Sequence, residues 1–136
     1  AMGAVEKLVQ LLGSSSQEVQ NAAAFALGSL AAGKHGFQQQ VAAVEGAVEG
    51  LVKLLGSSSQ EVQGIAALAL GRLAGGSEDA RQQLAAVEGG MERMAQLLDS
   101  SSQNVQEAGA IALGNLALGS EDIQRRWQKW MVHLTG

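Results

Sequence analysis

Cysteine, proline and tyrosine are absent from this 136-residue sequence, and aromatic residues of every kind make up only 3% of it. Without cysteine there is no disulfide, no thiolate nucleophile and no thiolate-bound metal, and the redox state of the compartment leaves no mark. Without proline, nothing locks φ or removes a backbone donor inside an element. The apolar 46% is built from Ala, Leu and Val, interspersed with Gln and Glu. Ala, Leu, Gln and Glu order cheaply in a helix, so an all-α fold is expected. An excess of positive charge is also missing: the formal net charge is -4 and the pI about 5.1. No field gathers nucleic-acid phosphates or an anionic membrane surface, and neither partner is expected. No run approaches the roughly 18 apolar residues of a membrane-crossing helix, and no basic stretch followed by an apolar one opens the chain. A soluble single domain over residues 1–136 follows, cytoplasmic or nuclear if natural, with the compartment otherwise unspecified. Ala1 and Met2, ahead of the glycine that opens the repeating pattern, read as an expression remnant.

What is present is a repeat. Shifting the chain by 43 places sets GAVEKLVQLLGSSSQEVQ from Gly3 over GAVEGLVKLLGSSSQEVQ from Gly46 and GGMERMAQLLDSSSQNVQ from Gly89. About 30 of the 43 positions agree between the first two copies, far beyond what shared helical composition yields. The units run over about 3–45, 46–88 and 89–131, with a C-terminal helix to 134.

Each unit reads as two helices and a shorter third. Val5, Leu8, Val9 and Leu12 stand at i, i+3, i+4 and i+7, one apolar stripe on a short first helix. Gly13 and Gly56 fall where a left-handed residue commonly closes a helix, a signal that weakens at Asp99. Ser15 and Glu18, repeated as Ser58 and Glu61, have the spacing of a capping box, so a second helix is expected to start there. Its inward face carries Val19, Ala23, Ala26, Leu27 and Leu30, then Val62, Ala66, Ala69, Leu70 and Leu73, then Val105, Gly109, Ala112, Leu113 and Leu116. Gly28, Gly71 and Gly114 recur inside this longest helix despite a cost of about 1 kcal/mol each, which points to close helix packing. The third helix is expected over 37–44, 78–87 and 121–134.

A helix like GAVEKLVQLL, a serine-rich turn, a helix like SQEVQNAAAFALGSLA and a linking helix ending in AAVEG together resemble the armadillo repeat family. The resemblance covers nearly the whole chain, and three helices in about 42 residues distinguish it from HEAT and tetratricopeptide units. It implies a right-handed α-solenoid of about three armadillo repeats whose longest helices line a concave groove, with an extended peptide or protein segment as the partner and no cofactor. In many members a Trp and, one turn later, an Asn recur on that helix and hold the peptide. Their places are taken here by Phe25, Leu68 and Ile111, and by Ser29, Arg72 and Asn115, so Asn115 alone matches. Ser accepts and donates weakly, and Arg cannot accept at all.

No residues are assembled for catalysis, and an enzyme is not expected. His35 and His133 have no Cys or paired carboxylate at ligand spacing and read as solvated residues, so no metal is expected. The serine runs recur where a cap is needed, and Glu6 with Glu45, or Glu78 with Asp79, read as exposed and first-turn charges. In the segment QRRWQKW, the register sets Trp127 over Leu84 and Val41, and Trp130 over Val87 and Val44, which favours core packing or an end cap over a nucleic-acid or membrane contact.

Repeat proteins need polar end faces, and neither end of this chain carries an obvious one. This suggests a homo-oligomer in which Trp127, Trp130, Met131 and Leu134 cover Val5, Leu8 and Phe25 of a second copy, or meet themselves about a two-fold; a closed dimer is favoured because two-fold dimers are commonest. The units also agree at exposed positions, with Gln17, Gln20 and Gln40 recurring as Gln60, Gln63 and Gln83. Consensus engineering, excision of a fragment or recent duplication produces such agreement. Two functions remain open: a groove that binds a peptide, and an engineered or minimal repeat whose main interaction is with itself.

Overall fold

Helix follows helix through the computed structural model, which describes residues 3–33 and 37–119 together with Arg125, Gln128 and Lys129. The order is α1 (Ala4–Leu11), α2 (Gln17–Ala32), α3 (Phe37–Ala42), α4 (Ala47–Leu54), α5 (Gln60–Gly76), α6 (Glu78–Ala86), α7 (Gly90–Gln96) and α8 (Gln103–Gly119), with a 3-10 turn at Leu97–Asp99 after α7. No strand occurs among the described residues. The fold is all-α, and α1–α3 and α4–α6 are two copies of one three-helix pattern, which α7 and α8 begin again. The linking helices are shorter than expected, α3 ending at Ala42 and α6 at Ala86. The expected helix over 121–134, with Trp127, Trp130, Met131, His133 and Leu134, lies outside the described residues, as does His35.

The first helix of each unit stops without a left-handed residue, contrary to the expectation for Gly13 and Gly56. Its last carbonyls are taken by a tightening turn: Leu12 N–H donates to Val9 O at 3.2 Å, Gly13 N–H to Gln10 O at 3.1 Å and Ser14 N–H to Leu11 O at 3.0 Å. Such a turn needs no positive φ, so Asp99 occupies the third copy of the position without strain. The left-handed glycines are Gly46 (φ 86°) and Gly89 (φ 76°), where the chain leaves a linking helix and reverses into α4 or α7.

The serine run also works one residue later than expected. Ser16, Ser59 and Ser102, not Ser15 and Ser58, accept from the N–H groups of Val19, Val62 and Val105 at 3.2–3.3 Å. Glu18 and Glu61 therefore stand one place short of a capping box. Ser14, Ser57 and Ser100 accept from the N–H of the capping serine. The middle serine looks outward to the neighbouring unit: Gln17 Nε2 donates to Ser58 Oγ, and Gln60 Nε2 to Ser101 Oγ, both at 2.9 Å. Ser59→Ala is expected to cost about 1 kcal/mol in urea unfolding, the usual value of a lost cap. Ser58→Ala, which removes an exposed side-chain bond, should cost a few tenths at most; a capping box at Ser58 and Glu61 would invert that order.

Leu27, Leu51, Leu70, Leu73, Leu84, Met94 and Leu116 are the largest fully buried side chains, and the core runs continuously through all the units. The long helices α2, α5 and α8 lie side by side because glycine lets them. An ideal Cβ on Gly28 would stand 3.2 Å from Ala69 Cα, and one on Gly71 only 2.8 Å from Ala112 Cα.

Candidate functional site

With their inner faces committed to the core, the long helices keep an outward stripe at helical spacing. On α2 it carries Glu18, Phe25 and Ser29; on α5, Glu61, Ile65, Leu68 and Arg72; on α8, Asn104, Glu107, Ile111 and Asn115. The family positions taken from the resemblance thus fall on one face. Phe25 is 58% and Ile111 46% exposed, large apolar side chains left open at two of three equivalent places. Leu68, flanked by α2 and α8, is half-buried and rests on the core. Ser29 and Arg72 are exposed. Asn115 is half-buried, its Nδ2 donating to Gly71 O at 3.3 Å, which commits one amide hydrogen to α5.

Between α5 and α8 the stripe sinks into a recess of about 520 Å³. Leu68, Arg72 and Ile111 line it, joined by Glu61, Ile65 and Glu107. Phe25, Ser29 and Asn115 do not. Gly64 also lines it. The floor is apolar and the end nearest the helix N-termini acidic, with Glu61 held by Asn21 Nδ2 at 3.0 Å. The sequence reading missed Glu61, Ile65 and Glu107, although the signal was there: Glu61 and Ile65 precede Leu68 by seven and three residues, and Glu107 precedes Ile111 by four.

Val5 and Leu8, expected at a self-contact, are partly buried on the flank of α1, away from the recess. Among the described residues no group of three or more His, Asp or Glu stands close enough to hold a metal ion, and no helix is long and apolar enough to cross a membrane.

The model of the family described as HEAT repeats matches residues 5–89, so unit length separates this chain from HEAT repeats less sharply than the sequence suggests. No curated protein matches the sequence. Among solved structures, an engineered protein from the Northeast Structural Genomics Consortium is 40% identical with a TM-score of 0.83, over 90% of this chain and 49% of that one. A designed armadillo repeat protein in complex with the peptide (KR)4 is 31% identical with a TM-score of 0.84, over 93% of this chain and 52% of that one. Computationally designed armadillo repeat proteins for modular peptide recognition give 32% identity and a TM-score of 0.82, over 93% and 52%. The chain spans about half the length of these solved chains.

Proposed function

This chain belongs to the armadillo/HEAT family of helical repeat proteins, and on that premise we propose that it is a non-catalytic scaffold that binds an extended peptide across α2, α5 and α8. The observation that carries the reading is the row of Phe25, Leu68 and Ile111, one apolar side chain per unit at the same place on successive long helices, two of them exposed. Packed helices lie about 8–10 Å apart and an extended chain rises about 3.3 Å per residue, so two to three peptide residues span each step. A peptide then meets the same kind of surface at a regular interval.

The recess sets the preferred side chains. An apolar residue fits among Ile65, Leu68 and Ile111, and a basic one beside Glu61 and Glu107 is drawn by charge. The (KR)4 complex of a designed relative is consistent with that preference. Arg72 at the other end favours an acidic side chain or a peptide carbonyl. With Asn115 partly engaged to Gly71, side chains carry more of the binding than backbone bonds do.

The test is a screen of a random peptide library against the 136-residue chain, followed by fluorescence anisotropy on the selected peptides. Replacing Leu68 and Arg72 together by alanine is expected to weaken a selected peptide roughly tenfold or more, about 1.4 kcal/mol. Gln10→Ala, on α1, is expected to leave affinity unchanged. Equal effects from the two would refute the groove.

A further inference from the structure

The two steps of the groove, α2 to α5 and α5 to α8, differ in their polar residues, although a shift of 43 places relates them. In the first step Asn21 Nδ2 donates to Glu61 Oε1 at 3.0 Å, a bridge from one long helix to the next. In the second step Gly64 stands in the place of Asn21 and Asn104 in the place of Glu61, so no side chain leaves α5 to make that bridge. The recess of about 520 Å³ lies at this gap, with Gly64 and Asn104 both on its lining. Ala108, which also lines it, replaces the larger Ile65 of the first step.

The bridge adds little to stability. Asn21 Oδ1 is buried without a hydrogen-bond partner among the described residues, a cost set against the single bond to Glu61. Its effect on the surface is larger, because it spans the first step at the position where the second is open.

What enters the open step is set by its walls. Ile65, Leu68 and Ile111 are apolar, and Glu61 and Glu107 are acidic and exposed. A lysine or arginine side chain matches that order: its methylene stem lies along apolar surface while its cationic head stays hydrated beside the carboxylates. Glu61 can accept from such a head while it holds Asn21, since a carboxylate offers about four lone-pair sites. A purely apolar side chain gains nothing from the two carboxylates, and an acidic one is repelled by them.

We propose that the chain reads one basic residue of its peptide partner, not one per unit. The basic head is taken between α5 and α8 by Glu61 and Glu107, and Asn21 bars the equivalent place between α2 and α5. Asn21 and Gly64, one position in successive units, set where the anchor falls. The inference rests on the groove reading above and adds a single charged anchor to its regular apolar row.

Fluorescence anisotropy tests this with three labelled peptides of serine and leucine carrying no arginine, one arginine, or two arginines spaced to reach adjacent steps, in enough salt to screen long-range charge. One arginine is expected to raise affinity about tenfold over none, and the second to add no more than about twofold. Asn21→Ala removes the bar and leaves the exposed Glu18, the counterpart of Glu61, beside the first step, so the second arginine should then add about fivefold or more. Gly64→Asn combined with Asn104→Glu rebuilds the bridge in the second step. A Cβ on Gly64 makes only an ordinary contact, with Val105 Cγ2 at 3.8 Å, so this variant should keep its helical circular dichroism. It carries one more negative charge than the wild type, yet it should lose the gain from the first arginine, the opposite of what attraction by net charge alone would give. Two arginines that count equally in the wild type, or a bridged variant that holds the single-arginine peptide as tightly as the wild type does, would overturn the single anchor and leave the groove standing. Failure of all three peptides to bind the wild type would remove the groove and the anchor with it.

Discussion

Alanine at Gly71 is expected to destabilise the fold by about 1–2 kcal/mol, whereas alanine at the equivalent Gly114 should stabilise it by roughly 0.5–1 kcal/mol. Both glycines sit inside long helices at ordinary negative φ, so both substitutions gain the helix propensity of alanine, about 1 kcal/mol. The difference lies across the helix interface. A Cβ on Gly71 would stand 2.8 Å from Ala112 Cα and 3.1 Å from its Cβ, and backbone cannot swing aside as a side chain can. The α5 and α8 helices must then part, and overpacking of this kind costs about 1–3 kcal/mol, more than propensity returns. A Cβ on Gly114 would meet nothing within 4 Å among the described residues. Gly28 falls between, its Cβ 3.2 Å from Ala69 Cα and Cβ, and Gly28→Ala should be close to neutral. Chemical denaturation should rank the denaturant midpoints Gly114→Ala, wild type, Gly28→Ala, Gly71→Ala from high to low. If Gly71→Ala matched or exceeded wild type, close approach of the long helices would not be what the recurring glycine serves.

The same repeat that made the architecture legible also hid several of its details. A period of 43 and an apolar stripe in each segment are local signals, and helices form from local bonds, so the order of elements followed directly. The serine run did not resolve, because three identical residues offer three registers. The choice among them depends on Ser14 N–H still closing the previous turn on Leu11 and on Gln17 reaching across to Ser58. The second of these contacts spans a whole unit and cannot be seen from within one. Gly13 misled for a related reason: glycine marks both left-handed ends and tight ordinary turns, and only Asp99 in the third copy distinguished them. Within the candidate site, carrying over two family positions per helix found Leu68, Arg72 and Ile111 and passed over Glu61, Ile65 and Glu107. Those three carry no family signature, and they follow from the helical period once the exposed face of α5 and α8 is known.

Leu51→Ala is expected to cost about 3–4 kcal/mol and Leu8→Ala only about 1, although the two leucines hold one position in successive units. Leu51 is fully buried, so its loss removes the transfer energy of the side chain and leaves a cavity that rigid neighbours cannot fill. Leu8 rests on the core from the side and is partly open to water, so truncation loses less buried area and leaves a dent that solvent enters. Met94, the third copy, is fully buried, and Met94→Ala should resemble Leu51→Ala at about 2–4 kcal/mol. Equilibrium unfolding at low micromolar concentration measures all three. The gap between Leu51 and Leu8 is then a direct reading of what full burial contributes at one position of the repeat. Equal costs would mean that the first unit already covers its own flank.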